Sequence, residues 1–304
     1  MHRMFKKKFV DETQGVSGAI TAMMIILIIS SFLSLIYAVY IPNWTKDYEA
    51  DHSKVVLAQM MDLKEQIDQE IINKDVNQGI SVTNRFTLGV DGGPIFGMGA
   101  TSGALVVNPY QDTITVVNSA SPDEVFVHGR GNVTYTSQYK YYVNQLYTYQ
   151  YGAVIVAQHN GTLAGKPAYS AVMRVEPHFQ AVKDQLGNVS ITIIQVAFYG
   201  SQKSVAGSRD VVVSTMLSGV DSNALTRTDY PTLRNLTLTL GTDYPDVWVK
   251  YFNDHLAKSV SGMDLRVANV GDYKVSSAGR IVTVNFWNVN ALNADIAIID
   301  VDLK

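Results

Sequence analysis

The chain contains no cysteine. That removes disulfide frameworks, thiolate metal sites, thiol nucleophiles and thioether-linked haem. Charge is sparse as well. Lys, Arg, Asp and Glu make up 17% of the 304 residues, where soluble domains average ~25%. The deficit points to a membrane segment, to strands rich in small polar residues and tyrosine, or to both. Twenty-four basic and 27 acidic residues leave a net charge of −3, so there is no positive excess to hold nucleic acid. Motifs of catalysis are also missing. None of the six histidines stands two, three or four residues from another, and no H-E-x-x-H, G-x-S-x-G, phosphate-binding glycine loop or dinucleotide fingerprint occurs. Asp221-Ser222-Asn223 begins like a calcium loop, but the twelfth place holds Thr232 and not Glu. No cofactor and no metal is expected, and the chain reads as a non-enzyme. A surface hydrolase built from residues distant in sequence stays as the third reading.

One long stretch lacks charge altogether: no charged residue occurs between Glu12 and Lys46. The apolar run Val16–Ile41, at ~1.5 Å per residue, makes a helix of ~39 Å, enough to cross a ~30 Å hydrocarbon core with tilt. Arg3, Lys6, Lys7 and Lys8 precede it, which places the N-terminus in the cytoplasm and the bulk of the chain outside. The run is too long for a secretory signal core, and Tyr37-Ala38-Val39-Tyr40 offers bulky residues where signal cleavage needs small ones.

Asp11-Glu12-Thr13-Gln14-Gly15-Val16-Ser17-Gly18-Ala19-Ile20, leading into Met23-Met24-Ile25-Ile26-Leu27, resembles the N-terminus of archaeal type IV pilins and archaellins. The resemblance covers ~30 residues. It implies a prepilin peptidase as a partner, cutting between Gly15 and Val16 on the cytoplasmic side. It also implies a freed helix that packs with other pilins or with its own kind. Ser17, Gly18, Ala19, Ser30, Ser31 and Ser34 are the small residues that would permit close helix contact. Gln14 stands where many family members carry Lys or Arg. Ile20 stands where the bacterial branch has Glu, which suits the archaeal branch. Without cleavage, the same segment is a plain anchor.

The helix is expected to continue as an amphipathic stem. Val56, Met60, Leu63, Ile67 and Ile71 form one stripe of a 3.6-residue period, with charges on the other faces. Pro42-Asn43 predicts a kink or break between span and stem, and Asn77-Gln78-Gly79 predicts the stop. From about Ile80 the period becomes alternating. Strands are expected at Ala104–Val107, Thr113–Asn118, Glu124–Val127, Asn132–Thr136, Gly152–Gln158 and Ser170–Val175. Further strands are expected at Asn188–Tyr199, Val205–Met216, Leu233–Leu240, Asp264–Val270, Ile281–Trp287 and Asp295–Leu303. Asp246–Lys258 reads as a helix behind Pro245.

The expected fold is therefore mainly β with a long N-terminal α-helix. Its parts are a leader (1–15), a membrane or pilin-core helix (16–42), a stem (43–78) and an extracellular antiparallel β-sandwich, one large or two small (79–304). A boundary within the body would fall near Ala206–Asp210 or Asp221–Asp229. Gly92-Gly93-Pro94, Thr101-Ser102-Gly103-Ala104-Leu105, the tyrosine-rich segment and Thr242-Asp243-Tyr244-Pro245 before Trp248 resemble a group of uncharacterised archaeal envelope proteins. That resemblance implies location and architecture only.

Two features of the body invite a functional reading. Asn43, Asn132, Asn160, Asn188 and Asn235 each open an N-x-Ser/Thr sequon and are candidate glycan acceptors; a chain rich in Asn, Ser and Thr also yields sequons by chance. Tyr135, Tyr139, Tyr141, Tyr147, Tyr149 and Tyr151 share parity, so an extended chain would put them on one face. That face is either an aromatic binding surface, for surface glycans or subunits, or a half-buried packing face of the sheet. The leading functional expectation is a structural or adhesive pilin-like surface protein. The alternative is a permanently anchored extracellular binding module for glycan or an envelope protein.

Overall fold

A computed structural model describes residues 2–90, 100–163, 166–228, 230–231, 233–257, 261–267 and 270–304. Side chains at 2–17, 122–123, 159–163 and 166–169 are not part of that description. Gly92-Gly93-Pro94 lies outside the described residues.

The N-terminal quarter is one helical rod. Helix α1 (His2–Leu35) passes through a π-helical turn (Ile36–Tyr40) into α2 (Ile41–Ile72), and a short α3 (Lys74–Asn77) follows. The expected break at Pro42 is instead this π turn. Proline has no N–H and its ring crowds the carbonyl four residues back. The helix widens one turn earlier, where the Ile41 N–H bonds to the Ile36 carbonyl five residues back. The rod therefore continues without interruption. Residues from Gly18 to Tyr40 are exposed except for half-buried Ile36, and this segment is long and apolar enough to cross a membrane. The stem stripe is as the period predicts: Val56, Met60, Leu63 and Ile67 are fully buried and Ile71 nearly so. Gly79 takes a positive φ of 79° and its N–H bonds to the Leu217 carbonyl, turning the chain out of the stem.

The body is β-rich, as expected. Its strands are β1 (Ser81–Thr87), β2 (Ser102–Asn118), β3 (Ser121–Gln138), β4 (Gln145–Gln150), β5 (Ala153–Leu163), β6 (Lys166–Val175) and β7 (Phe179–Lys183). They continue as β8 (Val189–Tyr199), β9 (Lys203–Gly207), β10 (Asp210–Thr226), β11 (Leu236–Gly241), β12 (Tyr273–Ala278), β13 (Ile281–Phe286) and β14 (Val289–Leu303). Helix α4 (Pro245–Leu256) falls where Pro245 and the Trp248/Phe252/Leu256 spacing put it. All these strands join one hydrogen-bonded sheet. Its main order is β1-β10-β14-β8-β3-β2-β11-β13-β12, with β4, β5, β6, β7 and β9 paired off that path.

The sheet departs from a purely antiparallel one: β14 runs parallel to β8 from Val289 to Asp300. Neither expected boundary divides the body. Only Ser208 and Arg209 separate β9 from β10, and β10 runs unbroken through Asp221 to Thr226. The segment expected as a strand at Asp264–Val270 has, among its described residues, only the isolated bridges Leu265↔Tyr273 and Val267↔Val270.

The hydrophobic core has two parts. The stem-side part joins α2 to Phe86, Leu105, Val107, Tyr135, Tyr147, Tyr149 and Phe198. The far part joins α4 to Ile114, Val116, Ile155, Ile191, Ile193, Phe179 and Phe286. Long strands serve both by changing face partway. Strand β8 buries Ile191 and Ile193 in the far core, then Val196 and Phe198 in the stem-side core. Strand β14 changes from Leu292 and Ala294 to Ala297, Ile299, Val301 and Leu303. In β2 the change falls at a register shift between Asn108 and Thr113, where Asp112 adopts φ 55°. One sheet thus buries one face at its stem end and the other face at its far end.

Candidate functional site

The seam between stem and body is where polar chemistry gathers. Five stem residues of the buried stripe contribute roughly 10 kcal/mol of gross burial, comparable to the whole net stability of a domain. The stem is therefore an integral part of the fold. Polar residues interrupt the stripe at set points, and Glu49, His52, Ser53, Lys64 and Glu70 each bond to the body. The Glu49 carboxylate is fully buried and accepts backbone N–H bonds from Lys140 (2.7 Å), Tyr141 (2.9 Å) and Tyr142 (2.6 Å). It clamps the loop between β3 and β4 onto the stem. One turn further on, His52 Nε2 donates to the Thr87 carbonyl (2.9 Å) and Nδ1 lies 2.7 Å from the Tyr139 hydroxyl. Burial holds the imidazole below its ordinary value, against the opposing effects of the Thr87 carbonyl and Asp210. Ser53 bonds to Gln145 (2.8 Å) and to the Tyr147 hydroxyl (2.6 Å).

At the other end of the stem, buried Lys64 reaches Asp68 (2.5 Å), which also receives His178 Nε2 at 3.0 Å. Burial disfavours the charge on Asp68, but bonds from His178 and Lys64 outweigh it and hold this carboxyl below its ordinary value. Burial pushes the Glu70 carboxyl up, although Thr215 donates to it at 2.7 Å.

A second polar knot lies where β2 changes face. Asp112 accepts from Asn132 (2.5 Å) and Gln150 (2.7 Å), and Arg280 pairs with it at 3.0 Å. The Gln150 carbonyl oxygen in turn accepts from Thr242 (2.8 Å) and from the Trp248 indole (3.3 Å). Burial raises the Asp112 carboxyl above its ordinary value despite these donors. The knot ties β2, β3, β4 and α4 at the junction of the two cores.

The tyrosine segment is mostly interior. Tyr135, Tyr147 and Tyr149 lie under the stem, and Tyr151 packs edge-on against Trp248 in the far core. The shared face persists through Tyr149 and ends at Tyr151, which lies in the turn before β5 at φ 53°. Tyr135 donates to the Leu88 carbonyl (2.7 Å) and Tyr151 to the Gly241 carbonyl (2.7 Å). Tyr139 is buried against His52 and only Tyr141 of the six is exposed. A flat aromatic surface for glycans is therefore corrected to a packing face: the hydroxyls of Tyr135, Tyr139, Tyr147 and Tyr151 are bonded internally, and that of Tyr149 is buried without a partner.

The sequons divide. Asn132 is buried and bonded to Asp112, so it is corrected: an acceptor must reach a transferase, and this one anchors a buried carboxylate. Asn43 is exposed on α2, and Asn188 and Asn235 are half-buried, Asn188 bonding to Asp184 at 3.1 Å. The Asn160 side chain lies outside the described ones. Gly15, Val16 and Ser17 belong to α1, and their side chains also lie outside. Gly18, Ala19, Ser30, Ser31 and Ser34 sit on the free part of the rod.

Among the described residues no group of three or more His, Asp or Glu side chains could hold a metal. A surface cleft of about 490 Å³ is lined by His178, Phe179, Thr192, His255 and Ser261. Ser261 Oγ donates to the His255 backbone carbonyl at 3.0 Å, a bond that does not activate a nucleophile. Sequence reading passed over Glu49, His52 and Asp112. Glu49 and His52 carried a usable signal, since both continue the stripe of Val56 and Met60. Asp112 carried none. No protein-family model, no curated protein and no solved structure matches the chain.

Proposed function

We propose that this chain is a surface-displayed structural and adhesive protein of the type IV pilin-like kind, serving an archaeal pilus or envelope assembly. The observation that carries the reading is how one unbroken helix divides. Gly18–Tyr40 is apolar and free of the body, whereas Thr45–Ile71 is docked into it. A rod of this form can hold a rigid β body while its free half inserts into a bilayer or a bundle of like helices. The prepilin-like segment Asp11–Ile20 lies at the head of the free half. In this reading a prepilin peptidase is the processing partner, and the body stands on the extracellular side.

The test is the intact N-terminus of protein recovered from native envelopes, read by mass spectrometry. A mature chain beginning at Val16 supports prepilin processing. A chain beginning at Met1 or His2 overturns it and leaves a permanent anchor, whose ligand would have to use a surface other than the buried tyrosine face.

A further inference from the structure

The body covers the rod from a definite point. Residues 18–40 are exposed apart from Ile36; Ile41 and Pro42 are half-buried, and Thr45 and Glu49 are buried. The apolar run also ends at Ile41. Body and span therefore meet with no spacer between them. A headgroup layer adds only ~5–8 Å to each side of the hydrocarbon, about four or five residues of helix at ~1.5 Å each. In a bilayer-resident chain, the near end of the body rests on that layer.

Among the described residues, the body element bonded to the stem nearest this end is the loop 139–144, fixed by three backbone bonds to Glu49. It exposes Tyr141 and Val143, and Lys140 Nζ lies 5.3 Å from the centre of the Tyr141 ring. A rigidly clamped loop that shows a tyrosine, a valine and a lysine together has amphipathic tips suited to a lipid interface. A second element has the same chemistry. Tyr37, Tyr40, Trp44 and Tyr48 are spaced three, four and four residues, so they line one face of the rod, and all are exposed. The Tyr40 and Trp44 rings are 5.8 Å apart. Tyrosine and tryptophan concentrate where a helix leaves the hydrocarbon, with rings in the apolar zone and polar tips in the headgroups.

We propose that the rod face Tyr37–Tyr48 and the loop 139–144 form one membrane-contact collar, with Tyr141 and Val143 seated among lipid headgroups and Lys140 beside their phosphates. The collar fixes the height and tilt of the body over the membrane. It rests on the bilayer-resident state of the chain and is independent of filament assembly.

The absence of cysteine allows single-site labelling of the full chain. Val143→Cys, Leu33→Cys and Leu186→Cys, each carrying an environment-sensitive fluorophore, are reconstituted in vesicles of phosphatidylcholine and phosphatidylglycerol. Leu33 lies in the span, and Leu186 is 86% exposed in a turn of the far lobe. The collar requires that headgroup-located nitroxide lipid quench the Val143 label several-fold more than the Leu186 label, and that iodide do the reverse. Quenching of the Leu33 label by acyl-chain nitroxide, with Val143 behaving like Leu186, overturns the collar alone. A Val143 label shielded from both quenchers is covered by another protein copy and also overturns it. Failure of the Leu33 label to be quenched removes the membrane reading and the collar together.

Discussion

The Nδ1 atom of His52 lies 2.7 Å from the Tyr139 hydroxyl, and its Nε2 is committed to the Thr87 carbonyl. A carbonyl only accepts, so Nε2 carries the proton and Nδ1 accepts from tyrosine in the neutral ring. A second proton would force Tyr139 to reverse its bond in a buried seam. This agrees with the direction of the shift, which burial sets below the ordinary 6.5.

The consequence is an acid-sensitive stem. The unfolded chain takes up the His52 proton before the folded one does. The stabilising contribution is complete above about pH 6.5 and declines as pH falls from there toward the lowered folded value. Urea midpoints measured at about pH 7.5 and about pH 5.5 should show this decline in the wild type and a smaller one in His52→Gln. Glu70 and Asp112, both raised by burial, act in the opposite sense, but they are common to both proteins and cancel in the comparison. Equal declines in the two would mean that His52 is not the sensing group.

Tyr147 and Tyr149 stand two residues apart on one buried face and should answer oppositely to loss of the hydroxyl. The Tyr147 hydroxyl bonds to Ser53 Oγ and to the Ser53 carbonyl at 3.0 Å. The Tyr149 hydroxyl is buried with no hydrogen-bond partner. Tyr147→Phe should cost about 1–2 kcal/mol, while Tyr149→Phe should be neutral or gain about 1 kcal/mol. Equilibrium unfolding of the two variants decides the matter. A matching loss in both would show that the second hydroxyl has a partner after all.

Much of this architecture was legible in the sequence, for a physical reason. The stem stripe and α4 follow a helical period that only burial of one face sustains, and both fall where it predicts. The halves of β2 and β3 were also legible, as four short strands and not two long ones, because alternation is lost where a strand changes its buried face. Strands β1, β4, β7 and β12 escaped notice. Strand β1 alternates only between exposed and half-buried positions, with Phe86 its one core residue, and β4 does not alternate because nearly every residue is buried. The seam partners of the stem lie 28 to 149 residues away in sequence, and no local pattern encodes such a pairing.

Because the stem supplies one wall of a core, the body should not fold without it. A fragment beginning at Ile41 retains Val56, Met60, Leu63, Ile67 and Ile71. One beginning at Gly79 exposes Phe86, Tyr135, Tyr149 and Phe198 instead. The longer fragment should unfold cooperatively, and the shorter should aggregate or show no sharp transition in circular dichroism. Within the longer one, Leu63→Ala should cost about 2–5 kcal/mol, whereas Val55→Ala, at an exposed position, should stay within about 0.5 kcal/mol. A stable, cooperative Gly79 fragment would show that the body has a complete core of its own.

Gly18 separates the filament from the anchor. A Cβ built there meets nothing within 4 Å, so a larger side chain disturbs no contact inside the chain. Leucine in a helix interior is also favoured over glycine by somewhat under 1 kcal/mol. Gly18→Leu should therefore leave folding, membrane insertion and the unfolding midpoint of the body unchanged. What it can disturb is close approach of another helix, where small residues let backbones meet. If the free half of the rod packs into a filament core, the variant should reach the envelope at normal levels yet give few or no filaments by electron microscopy. Normal filaments would place Gly18 outside any helix contact. If the wild type itself forms none, unchanged behaviour of the variant would be the outcome expected of a rod whose surroundings are lipid alone.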